Sequence, residues 1–174
     1  MAGSLIKIDE EIVTSAVASV TLGGADWDSS YDVYMVTANN VVQSTNTGSF
    51  DIRVTKSGTN DSTANYDSAR KLLYANGAFS NQTEQNQNRW DIELIGTTST
   101  SNGNFIFYLY NFNSSTEYSF ITIEETTFNS NGHFFGNTGG GVHTVASASD
   151  GLYFFNDASN QIESGTFTLY GLAK

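Results

Sequence analysis

Apolar and polar residues alternate with a period of two along most of this chain. The clearest run is Ile162–Leu172, reading IESGTFTLYGL. Phe167 and Leu169 project to one side, with Gly165 and Gly171 beside them, while Thr166, Thr168 and Tyr170 project to the other. That pattern, rich in β-branched and aromatic residues, predicts a strand with one buried face. Similar runs predict strands over residues 13–22 (VTSAVASVTL), 31–38 (YDVYMVTA), Phe50–Lys56, 90–96, 118–125 and 150–156, with a short one over 142–147. Asn39 and Asn40 mark a break or bulge, and in Phe50–Lys56 the alternation places Phe50, Ile52 and Val54 inward and Asp51, Arg53 and Thr55 outward. Trp90, Ile92 and Leu94 form the apolar side of the next run.

Three stretches depart from this pattern. Residues 66–75 (YDSARKLLYA) place Ala69, Leu72 and Leu73 at helical spacing and predict one short helix. Residues 78–89 (AFSNQTEQNQNR) and 129–141, which include Gly139, Gly140 and Gly141, read as polar or glycine-rich loops. Residues 105–112 (FIFYLYNF) are apolar on both faces, the mark of a central strand or of one covered by a partner. The fold class that follows is all-β: a two-sheet antiparallel sandwich, jelly-roll-like, with at most one short helix. Residues 1–11 form an N-terminal arm ending in Asp9, Glu10 and Glu11, and residues 12–174 form a single sandwich domain.

Composition narrows the functional classes. The 174 residues carry 7 Lys and Arg against 18 Asp and Glu, a net charge of −11 that argues against nucleic acid as a partner. The chain has no cysteine, so neither disulfides nor thiolate metal sites are possible. With no proline, its turns depend on Gly, Asn, Asp and Ser. No apolar run approaches the roughly 20 residues of a membrane helix, and residues 1–13 lack a signal-peptide core, so no membrane partner is expected.

The chain offers little catalytic chemistry. Asp26 and Asp28 lack the continuation of a calcium loop, and the adjacent Glu124 and Glu125 point to opposite faces of a strand, which leaves both pairs as solvated acids. His133 and His143 fit neither zinc nor triad spacing, and the Gly139–Gly141 run lacks the Lys-Ser/Thr of a phosphate loop. Trp27, Tyr31 and Tyr34 could form a sugar platform, but core or subunit contact is the commoner use of such aromatics. No enzyme, cofactor or metal is expected.

The ending SGTFTLYGL at residues 164–172, preceded by GLYFFNDASNQI at 151–162, resembles the C-terminal signature of small β-sandwich virion proteins of tailed phages, marine ones especially. TSAVASVTL at 14–22 and YDVYMV at 31–36 are similar to that family's first two strands, with a weaker likeness at 66–69. Asn160, Gln161, Ile162 and Glu163 depart from the family's phrase at the turn. The family includes capsid decoration (cement) proteins and tail-appendage proteins, and its motifs are structural.

The resemblance implies a decoration protein that stabilises the shell by binding the major capsid protein on the outer surface of the virion. The alternative it implies is a tail-appendage, receptor-binding protein. One compact domain without a shaft favours decoration. The surplus apolar surface of residues 105–112 adds an expectation of a closed homo-oligomer, most simply a trimer at three-fold lattice positions. The candidate partner-binding residues are Leu5, Ile6 and Ile8 on the arm, and Phe105, Phe107, Tyr108 and Tyr110 on the two-faced strand.

Overall fold

A computed structural model describes residues 4–45, 47–93, 95–128 and 132–173. In chain order the strands are β1 (Leu5–Val13), β2 (Ser19–Gly23), β3 (Val33–Gln43), β4 (Phe50–Lys56), β5 (Thr59–Asn60), β6 (Tyr66–Tyr74) and β7 (Phe79–Gln87). They continue with β8 (Trp90–Glu93), β9 (Gly103–Tyr110), β10 (Ser119–Phe128), β11 (Phe134–His143), β12 (Gly151–Asn156) and β13 (Ile162–Leu172). A single 3-10 turn at Gly24–Asp26 is the only helical element among the described residues.

These strands form two antiparallel sheets packed face to face. The larger has eight strands in the order β1-β13-β3-β9-β10-β11-β6-β7. The smaller runs β2-β12-β4-β5, and β8 pairs with the same side of β4 as β5 but at its other end. The final strand is a central organiser, as its alternation predicts. It lies between β1 and β3, with Phe167 and Leu169 buried.

Aromatic side chains from both sheets interdigitate in the core. Phe50 of β4 lies 5.1 Å from Phe105 of β9, and Phe154 of β12 lies 5.2 Å from Phe167 of β13 (ring centroids). Each fully buried ring contributes about 2–3 kcal/mol through loss of apolar surface from water. Gly171 is required at its place because the Tyr31 ring occupies the space a β-carbon would take.

Four expectations are corrected. Residues 66–74 are strand, not helix: Tyr66, Ser68, Arg70 and Leu72 all point inward and are buried. Leu72 and Leu73 therefore lie on opposite faces. The polar stretch after them is the edge strand β7, and most of the glycine-rich stretch is β11, paired along its length with β10 and β6. Its first residues, 129–131, lie outside the described residues, as does Leu94. The run at 13–22 is divided, because Val13 ends β1 and β2 starts only at Ser19.

The arm is also replaced by sheet. Residues 5–11 belong to β1, which pairs with β13 from Leu5↔Leu172 to Val13↔Gly165. The remaining arm residues 1–3 lie outside the described residues. A bulge between Lys7 and Asp9 turns Asp9 inward, where its carboxylate accepts a hydrogen bond from the Gly23 amide at 2.8 Å. That bond ties the edge of the large sheet to the end of β2. The bulge expected at Asn39 and Asn40 is present between Ala38 and Val41, with Asn40 in the left-handed region at φ 55°.

Candidate partner-binding face

The outer face of the eight-stranded sheet is not covered by the smaller sheet, and cross-strand register arranges its side chains in rows. One row runs Leu5, Leu172 on β1 and β13, then Val33, Tyr110, Phe120, Val142 and Asp67 across to β6. The next holds Lys7, Tyr170, Met35, Tyr108, Thr122, Gly140, Ala69 and Thr83. Among the described residues, most of the large apolar side chains that are exposed lie on this face.

Three features stand out on it. At one end, Leu73, Phe79, Phe128 and Phe134 form an exposed tip; Leu73 pairs with Phe79 and Phe128 with Phe134 across the strands. Phe79 is 67% exposed, with the Lys71 ammonium 5.1 Å from its ring centroid. At the other end, β11 presents Gly140 between the larger side chains of β10 and β6. The result is a groove of about 880 Å³, walled by Tyr110, Phe120 and Thr122 on one side and Ala69, Thr83 and Gln85 on the other. Toward β1, Leu5, Met35, Tyr108 and Leu172 line a smaller hollow of about 280 Å³.

The candidate residues separate accordingly. Tyr110 is exposed and Tyr108 half-buried on the outer face, and Leu5 and Ile6 are exposed on β1. Ile8 packs partly buried against the core. Phe105 and Phe107 are corrected: both are fully buried, because the odd positions of β9 face the smaller sheet. The apolar side of β9 available to a partner is Ile106, Tyr108 and Tyr110.

Titratable groups also lie inside the sandwich, where alternation alone did not place them. Asp51, expected outward, is fully buried, and Arg89 pairs with it at 2.8 Å. Burial and the repulsion of Asp91 outweigh Arg89 and push the Asp51 carboxyl up to about 9. Thr55, also expected outward, is buried and donates to Asp150 at 2.7 Å. Glu125, expected solvated, is buried, and its carboxyl is pushed up to about 8 by that burial. Asn137 donates to it at 3.1 Å. The Ile92 carbonyl of β8 accepts from Asn137 at 3.0 Å and from Arg70 Nη1. Polar side chains of the large sheet thereby hold β8, a strand of the small one.

The remaining sequence candidates have structural surroundings. His143 is buried against the Tyr66 ring, 4.7 Å between centroids, and 3.4 Å from Asp61; burial lowers its pKa to about 4. Tyr34 is buried against Trp27 and donates its hydroxyl hydrogen to the Asp28 carbonyl at 2.7 Å. Asn113 joins this corner, accepting from Trp27 Nε1 at 2.9 Å and donating to Tyr34 at 2.8 Å. Trp27, Tyr31 and Tyr34 thus pack together as a corner. Asp28 accepts from the Ser30 hydroxyl and amide, which lowers its pKa. Among the described residues, no group of three or more His, Asp or Glu is placed to hold a metal ion.

These features define an all-β sandwich with one broad, partly apolar outer face. No protein-family model matches the chain, and no curated protein sequence matches it.

Proposed function

We propose that this protein is a structural protein of a phage virion, a decoration protein that docks on the major capsid protein shell without catalysis. The observation that carries the reading is the exposed tip of Leu73, Phe79, Phe128 and Phe134 on a strongly acidic protein. Four large apolar side chains clustered at one end of a sheet are the kind of surface that marks a protein contact. The likeness of residues 164–172 to virion proteins supplies the partner.

The mechanism is linkage. A protein that binds only the assembled shell shifts the assembly equilibrium toward the shell. Repetition over the lattice lets each contact be modest. The hollow beside Leu5 and Tyr108 is the surface through which copies associate, most simply as a trimer at the three-fold positions of the lattice. The acidic body then faces water on the outer capsid surface.

The test is co-sedimentation with shells of the encoding phage assembled without this protein. The intact protein should pellet with the shells and raise the temperature at which they release DNA. A Phe79→Ser/Phe134→Ser variant should stay in the supernatant. Failure of the intact protein to bind shells would overturn the reading. A second reading, a tail-appendage protein that recognises the host, is favoured by the separate groove beside Phe120. Binding to host cells rather than to shells would put it first.

A further inference from the structure

The groove at the end of the face opposite the tip has a chemistry of its own. Its floor is Gly140, and a β-carbon there would stand 2.7 Å from the Ile121 carbonyl oxygen, so the backbone packing keeps this position free of a side chain. The strands on either side of β11 stand roughly 10 Å apart, two strand spacings, which sets the width of the trough. The trough continues along β11, whose outward positions further on are Thr138 and Gly136, into a second depression of about 380 Å³. A strip of small residues thus runs between two rows of larger ones.

The walls carry two kinds of group. Phe120 and Tyr110 are direct cross-strand neighbours, 43% and 36% exposed, and present aromatic surface to the groove. Thr83, Gln85 and Thr122 supply hydroxyl and amide groups that both donate and accept. Asp67 adds a carboxylate that already accepts from the Asn86 amide at 2.7 Å. No Lys or Arg lines the groove, and the whole protein carries −11.

We infer that this groove binds a neutral oligosaccharide laid along β11. The flat C–H faces of pyranose rings match exposed aromatic surface, and their hydroxyls match side chains that donate and accept together. An extended peptide fits less well. β11 is paired on both sides, to β10 and β6, so the floor has no free backbone groups for strand addition, and a bound peptide would leave its own amides to side chains alone. An anionic glycan would meet the Asp67 carboxylate and an acidic body, while Lys71, the register partner of Thr138 beside the trough, turns its ammonium to the Phe79 ring. The site goes beyond the shell-docking role, because it lies at the opposite end of the face from the tip.

The experiment uses the full chain in titration calorimetry and NMR. The probes are neutral hexasaccharides of glucose, galactose, mannose and N-acetylglucosamine, a sulfated hexasaccharide, and a neutral Ser/Thr-rich peptide. At least one neutral hexasaccharide should bind saturably, with the sulfated sugar and the peptide binding at least about tenfold more weakly. Phe120→Ser should weaken the sugar at least about tenfold, and so should Gln85→Lys, which changes the opposite wall at an exposed position and guards against a folding artefact. Glu163→Gln, exposed on β13 and outside both the groove and the hollow, should leave it unchanged. The inference is overturned by an absence of saturable binding to all four neutral sugars. It is equally overturned by preference for the peptide or the sulfated sugar, or by binding that survives both groove variants.

Discussion

Asn137 Nδ2 stands 3.1 Å from the Glu125 carboxylate, inside the sandwich, and 3.0 Å from the Ile92 carbonyl. One amide group thereby joins a buried acid on β10 to a strand of the opposite sheet. The acid has lost nearly all contact with water, and its carboxyl is pushed up to about 8.

The sign of the resulting pH dependence is fixed by that direction. The folded state holds the Glu125 proton more tightly than the unfolded chain, whose carboxyl titrates at about 4.3. This contribution to stability is complete below that value and is lost as pH rises toward 8. Glu125→Gln keeps an acceptor for Asn137 and removes the titration. Thermal melts should show the variant gaining on the parent between pH 5 and 8, by about 1–3 kcal/mol at the upper end. Equal slopes for the two proteins would contradict the assignment.

Arg89 is the counter-charge for a second buried acid. It reaches Asp51 at 2.8 Å and Asp157 at 2.9 Å. Arg89→Ala should destabilise the protein, because it removes the cation facing Asp51, Asp91 and Asp157, and the loss should grow as pH rises toward the value of about 9 at which the buried Asp51 carboxyl ionises. Asp51→Asn in the same background should recover part of that loss. A denaturant-unfolding cycle of the four proteins measures the coupling, and strict additivity would rule it out.

Removing residues 2–11 strips most of β1 from the large sheet. The β13 ladder from Leu5↔Leu172 to Glu11↔Phe167 is lost, together with the bond from the Gly23 amide to Asp9. The truncated protein should melt several degrees lower and aggregate through the newly open edge of β13. Circular dichroism melts with light scattering test this. A truncation with unchanged melting would show that β1 contributes nothing.

The strands whose buried face is apolar were legible from the sequence; those whose buried face is polar were not. In β6 the inward positions include Ser68 and Arg70, so the period of two was hidden and Ala69, Leu72 and Leu73 suggested a helix instead. In β7, FSNQTEQNQ has hardly an apolar residue, because an edge strand needs only its ladder with β6. The glycines of β11 resemble loop chemistry until the close packing of β10 and β6 accounts for them. The partner face was half legible. Residues 105–112 announced two apolar faces, but only the placement of the second sheet decided that Phe105 and Phe107 turn inward while Ile106 and Tyr110 turn out. The tip was hidden because Leu73, Phe79, Phe128 and Phe134 come from four different strands.

The exposed tip makes a prediction of its own. Phe79→Ser/Phe134→Ser removes no core contact and should change unfolding free energy by less than about 1 kcal/mol. It should also reduce binding of an apolar dye such as ANS. A large loss of stability would mean that the tip supports the fold rather than a partner.

Electron cryomicroscopy of the purified virion tests the central claim most directly. The account predicts sandwich-shaped density over the outer capsid lattice, with Phe79 and Phe134 turned toward the major capsid protein and the β10–β11 groove open to solvent. Density for this chain on the tail alone, or on the capsid with the tip facing water, would contradict it.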